Sequence, residues 1–142
     1  MAIIQTLTTS FKVEVAQGLH NFTTGTGDVF KLALYTANAD LGASTTAYTT
    51  AGEVSGTNYS DGGIILTNIT PSFQGTTSYW SFQNATFTNV TLTTNGALIY
   101  NSTNGNRSVA VLNFGVNITK TAQDLVITFP VNDATNAVLR IA

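Results

Sequence analysis

The stretch that most restricts the fold is 95–115, NGALIYNSTNGNRSVAVLNFG. Two apolar runs, Ala97–Tyr100 and Val109–Phe114, flank a polar tip that contains Asn104-Gly105. Asn-Gly is the dipeptide favoured by type I′ hairpin turns, because both central residues need positive φ. The spacing predicts a β-hairpin. Leu98 and Tyr100 fall on one face, and Ala97 and Ile99 on the other. Val109 and Val111 alternate with Ala110 and Leu112 in the same way. Apolar residues on both faces of both strands predict central strands that are covered on each side. Gly96 and Gly115 bracket the unit and read as bends or bulges.

Composition extends this reading to the whole chain. Charged residues make up only 8% of the 142 positions, against about 25% in ordinary domains. Thr, Ser and Asn take their place. Thr suits a pleated surface, while Asn, Gly and Ser supply turns. The expectation is an all-β chain whose solvent face is polar but nearly uncharged. Such a face offers little electrostatic repulsion between copies.

Charge and cysteine usage narrow the function. The formal net charge is −2, and Lys12, Lys31, Arg107, Lys120 and Arg140 are scattered. They form no basic stripe, so no nucleic-acid partner is expected. Cysteine is absent, which removes disulfides and thiolate chemistry. No apolar run approaches a membrane span, so no membrane partner is expected either. The start, MAIIQTLTTS, lacks a basic region followed by a long apolar core; it reads as no signal peptide, with synthesis in a cytoplasm.

Along the chain, Ala2–Leu7 reads as a short strand. Ser10 reads as the N-cap of a helix over Ser10–Gln17, with Phe11, Val15 and Leu19 as its apolar stripe and Gly18 as its stop. Asp28–Thr36 alternates cleanly and reads as a strand. Residues 37–63 lack periodicity and read as an ordered excursion with one short strand near Ala47–Thr50. Its length points to function or an interface. Strands follow at Ile64–Thr70, ended or pushed to an edge by Pro71, then at Ser78–Gln83, Thr86–Thr94, Leu125–Phe129 and Ala137–Ile141. About eight strands and one short N-terminal helix make a single β-sandwich domain over 1–142, immunoglobulin-like or jelly-roll-like.

Few residues invite chemistry. His20 is the only histidine, and its sequence neighbours offer no base, nucleophile or metal ligand; it reads as a structural residue capping the helix end. The seven carboxylates are far apart in sequence, and a glycosidase pair would require two of them about 5–10 Å apart. Triplets of the form Asn-x-Ser/Thr recur, from Asn21 to Asn117, but a chain rich in Asn and Thr produces them at strand spacing without glycosylation. Tyr35, Tyr48, Tyr59, Tyr79, Trp80 and Tyr100 are assigned to core and interface in preference to a sugar-stacking platform. No catalytic residue, cofactor or metal ligand is assigned.

The succession SFKVEVAQGLHNF, FKLALYTANADLG, TTAYTTAGEVSGTNYSDGG, GALIYNSTNGNRSVAVLNFG and VLRIA resembles a group of small proteins encoded among the virion structural genes of tailed bacteriophages. The resemblance implies a virion component that is not an enzyme. Together with the low charge, the Thr- and Asn-rich β surface and the irregular excursion, this gives the expectation of a capsid decoration (cement) subunit docked on the major capsid protein, present as a homo-oligomer. A tail, head-tail junction or fibre-associated subunit, with a carbohydrate-binding role, is the alternative. On that reading the irregular excursion is the docking surface, with Leu41, Tyr48, Val54 and Tyr59 at the interface.

Overall fold

The computed structural model describes residues 2–142. It contains two antiparallel sheets and one helix: β1 (Thr6–Leu7), α1 (Thr9–Ala16), β2 (Phe30–Tyr35), β3 (Ile64–Ile65), β4 (Asn68–Gln74), β5 (Thr77–Phe82), β6 (Ala85–Asn101), β7 (Arg107–Ile127) and β8 (Leu139–Ile141). One sheet runs β1-β7-β6-β2-β3, the other β4-β5-β8. Their facing sides share one apolar core, built from Phe30, Leu32, Leu34, Ile99 and Val109 on the larger sheet and Trp80, Phe82 and Leu139 on the smaller. This is a β-sandwich with a short N-terminal helix. Among the described residues, no helix is long and apolar enough to cross a membrane.

The β6–β7 hairpin is the spine, as its sequence predicts, but it is longer and differently turned. The strands expected at 86–94 and 97–100 are one strand, β6, and those at 109–114 and 125–129 are joined within β7. The breaks are bulges. The register shifts between Thr94 and Gly96, and Gly115 sits opposite that shift at φ 79°, so both glycines act where bends were expected. The tip is not a two-residue Asn-Gly turn. Asn101 pairs with Arg107, which leaves a five-residue loop in which Gly105 (φ 70°) and Asn106 (φ 56°) hold the positive angles. The positive-φ pair is displaced by one residue because Asn101 caps the loop. Its Oδ1 accepts from the amides of Thr103 and Asn104, and that holds the first residues of the tip in a tight right-handed turn.

The helix is capped two residues earlier than expected. Thr8 is the N-cap and its Oγ1 accepts from Phe11 N–H. Ser10 falls inside the first turn, with its hydroxyl near Ser108 and the Thr45 carbonyl. The end follows the sequence closely. Gly18 takes φ 73°, Gly18 N–H bonds Val15 O, and Leu19 N–H bonds Glu14 O; this is the Schellman arrangement. Expected strand 64–70 splits into β3 and β4. Pro71 lies inside β4, at a register shift between Ile69 and Ser72, and β4 is an edge strand, the place where a residue without an N–H is tolerated.

Candidate functional site

The excursion 37–63 is anchored by single-residue bridges. Leu41 pairs with Ile3, Ala47 with Arg107, Glu53 with Tyr35, and Thr57 with Thr91. The strand expected at 47–50 is therefore one bridge, since the chain crosses the sheet and does not run along it. The segment lies over the outer face of the larger sheet and closes a second apolar layer of Ile3, Ala33, Tyr35, Ala39, Leu41, Leu98, Tyr100 and Val111.

This placement corrects the expected interface. Leu41 and Val54 are each 2% exposed, Leu41 in the outer layer and Val54 in the inter-sheet core. They are not available as surface contacts of the folded chain. Tyr48 and Tyr59 are half-buried, and the fold brings them together on a residue that the sequence reading passed over, Glu53. Glu53 Oε1 accepts from the Tyr48 hydroxyl at 2.6 Å, and Oε2 from the Tyr59 hydroxyl at 2.6 Å and Gly62 N–H at 2.8 Å.

The cluster extends through Tyr100 and Tyr35. The Tyr100 hydroxyl donates to Gly62 O at 2.7 Å, and the Tyr35 hydroxyl to Thr49 O at 2.7 Å. Tyr48 stacks on Tyr100 with centroids 4.8 Å apart. Tyr59 also accepts from Leu34 N–H at 2.9 Å, standing in for a strand partner at the edge of β2. Burial first, and then the negative Glu53, push the Tyr100 phenol up to about 12. Burial and Glu53 likewise raise Tyr35, Tyr48 and Tyr59. The phenols therefore remain donors at neutral pH, and the carboxylate has a donor on each oxygen. Chemically this arrangement is a clamp that holds the excursion to β2 and β6. Nothing in the sequence pattern marks it, because positions 35, 48, 53, 59 and 100 share no period.

A second polar cluster surrounds His20. Its Nε2 lies 2.9 Å from Glu14 Oε1, and Arg107 reaches Glu14 Oε2 at 2.9 Å. Nδ1 faces Asn101 Nδ2 at 3.1 Å. Because Asn101 Oδ1 is committed to the tip amides, its amide nitrogen is the donor toward His20, which fixes the proton on Nε2. Both ring nitrogens are used and the side chain is fully buried. Phe11, Phe22 and Phe30 surround the ring. His20 is structural, as expected, but it bonds a helix side chain; Gly18 and Leu19 cap the helix carbonyls. Asn101 also donates to Asp28 Oδ2 at 2.8 Å, so one network joins helix, hairpin tip and the entry to β2. Among the described residues, no group of three or more His, Cys, Asp or Glu is placed to hold a metal ion.

The fold thus defines a two-sheet antiparallel sandwich with a tyrosine-clamped cover on its outer face. Compared with protein-family models, curated proteins and solved structures, the chain matches none.

Proposed function

We propose that this chain is a non-enzymatic structural subunit of a tailed-phage virion, a capsid decoration protein that packs in many copies on the major capsid protein. The observation that supports this reading best is the outer surface of the long hairpin. Thr86, Thr88, Thr91 and Thr93 on β6 and Thr119 and Thr121 on β7 are exposed, and Thr93 and Thr119 pair through their hydroxyls at 3.0 Å. Lys120 and Asp124 are the only charges on this part of β7. A hydroxyl-bearing surface with so few charges packs against a repeating lattice without charge repulsion.

The glycan-binding alternative is less well supported. Tyr35, Tyr100 and Trp80 are buried, and Tyr48, Tyr59 and Tyr79 are half-buried, which leaves no exposed ring of these aromatics for sugar stacking. The test is mass spectrometry and density mapping of purified particles of the phage that encodes the chain. Decoration requires stoichiometric protein on the head surface. Absence from the particle overturns the virion reading; presence only on the tail overturns decoration.

A further inference from the structure

Asn-Gly occurs twice in the chain, at Asn95-Gly96 and Asn104-Gly105. The pair has a chemistry of its own. The backbone nitrogen of the glycine can attack the side-chain carbonyl carbon of the asparagine, because no Cβ shields it. A C–N bond forms, the bond from that carbon to Nδ2 breaks, and ammonia leaves with the proton of the glycine amide. Water then opens the cyclic imide at either carbonyl and gives aspartate or isoaspartate. No oxidant, metal or second chain takes part. The reaction does need a glycine nitrogen that is free to turn onto the side chain.

The fold treats the two pairs differently. Gly96 is buried in the larger sheet between Tyr35 and Asn113. A Cβ there would stand 2.6 Å from the Leu112 carbonyl oxygen and 2.9 Å from the Ile3 side chain, so packing holds this backbone in place. Gly105 is exposed. A Cβ on it would meet nothing within 4 Å, and its N–H has no backbone acceptor among the described residues. Asn104 is half-buried, and its Nδ2 donates to the Leu19 carbonyl at 2.7 Å. That bond ties the hairpin tip to the helix end. The tip is fastened elsewhere too. Thr103 Oγ1 accepts from Val29 N–H at 2.8 Å, and Asn106 O accepts from Tyr48 N–H at 2.9 Å.

We propose that Asn104 is a self-modification site, where the folded chain deamidates in preference to Asn95, and that the product releases the hairpin tip from the helix end. A carboxylate at position 104 has no N–H to offer Leu19 O. It sets a negative charge against a carbonyl oxygen that has lost its short donor. Asp28 and Glu14 already supply two carboxylates to the network around Asn101 and His20, and the guanidinium of that network, Arg107, is paired with Glu14. Isoaspartate also lengthens the main chain by one carbon, next to the Thr103 and Asn104 amides that Asn101 caps. Either product loosens the tip irreversibly, and the Tyr48 amide of the excursion with it.

The test is peptide mapping by mass spectrometry of the full chain, kept warm in mildly alkaline buffer, both folded and in denaturant. In denaturant the two Asn-Gly pairs are expected to react alike. In the folded chain Asn104 is expected to react at least about tenfold faster than Asn95, because freeing Gly96 requires opening the sheet. Equal rates at the two sites in the folded chain, or no reaction there at Asn104, overturns the proposal. Asn104→Asp carries the product charge from the start and tests the release. Hydrogen exchange is expected to accelerate at the Thr103 and Tyr48 amides and to stay unchanged at Leu98, in the middle of the sheet. Parent-like exchange at Thr103 and Tyr48 overturns the release. Equal acceleration at Leu98 overturns it as well, since the loosening is then global and not confined to the tip.

Discussion

Replacing Glu53 with Ala removes the acceptor for three donors at once: the Tyr48 and Tyr59 hydroxyls and Gly62 N–H. Hydrogen bonds to a charged group each contribute about 1.5–3 kcal/mol net. The three do not count equally. Tyr48 is half-buried and can turn its hydroxyl to water, whereas Gly62 is buried and Tyr59 is held in place by Leu34 N–H. Weighting Gly62 and Tyr59 fully and Tyr48 slightly gives a loss of roughly 3–5 kcal/mol. A domain of this size has stability on the order of 10 kcal/mol, so the loss is a large fraction of the total. It corresponds to a fall in melting temperature of roughly 10–20 °C. Circular dichroism melts of the parent, Glu53→Ala and the control Asp40→Ala measure it. Asp40 is exposed, and its replacement is expected to change stability by less than about 0.5 kcal/mol. Hydrogen exchange at the Gly62 and Leu34 amides should accelerate in Glu53→Ala alone. A Glu53→Ala midpoint within about 2 °C of the parent would refute the clamp.

The remaining predictions concern backbone and pH. A Cβ added at Gly105 meets nothing within 4 Å, so Gly105→Val is strained chiefly by the φ of 70° and should cost about 1–2 kcal/mol; an unchanged denaturant midpoint counts against the turn geometry. Gly63→Ala adds a collision of the new Cβ with the Leu32 carbonyl to a φ of 77°, and should cost more, roughly 2–4 kcal/mol; a midpoint above that of Gly105→Val would contradict it. The raised phenols of Tyr35, Tyr48, Tyr59 and Tyr100 keep their protons in the folded chain above the free value of about 10. Their contribution is therefore complete below about pH 10 and is lost as pH rises through the folded values. Phenolate absorbance of these residues should appear together with loss of tertiary signal, and titration near pH 10 with the fold intact would disprove the coupling.

What the sequence makes legible is whatever carries a period or a special backbone angle. β2 alternates, and its two residue sets do go to the two apolar layers, Phe30, Leu32 and Leu34 to one, Ala33 and Tyr35 to the other. Gly18 stops the helix and Pro71 sits at an edge for the reasons their chemistry gives. The length of β6 and β7 is hidden because bulges at Gly96 and Gly115 look, in sequence, like ends. The Glu53 clamp is hidden for a different reason. Its members come from β2, β6 and the excursion, and each is placed by long-range pairing that no local pattern encodes.

The excursion shows most sharply how an absent period misleads. Without periodicity it reads as an ordered excursion whose length points to function or an interface. In the fold it closes a face of the larger sheet, with Leu41 and Val54 among the most buried residues and Glu53 holding Tyr48 and Tyr59. Deleting Asp40–Asn58 would uncover Tyr35, Leu98 and Val111, three large side chains that are buried beneath it or beside it. Exposing each costs about 1.5–3 kcal/mol, and the clamp is lost as well. The sum approaches the whole stability of the domain. Such a deletion would unfold the chain before it could report on docking, because the segment is part of what the chain needs to fold. Its buried side chains close the sheet, and the exposed apolar side chains of the chain, such as Ile65, Phe73 and Val131, lie outside it.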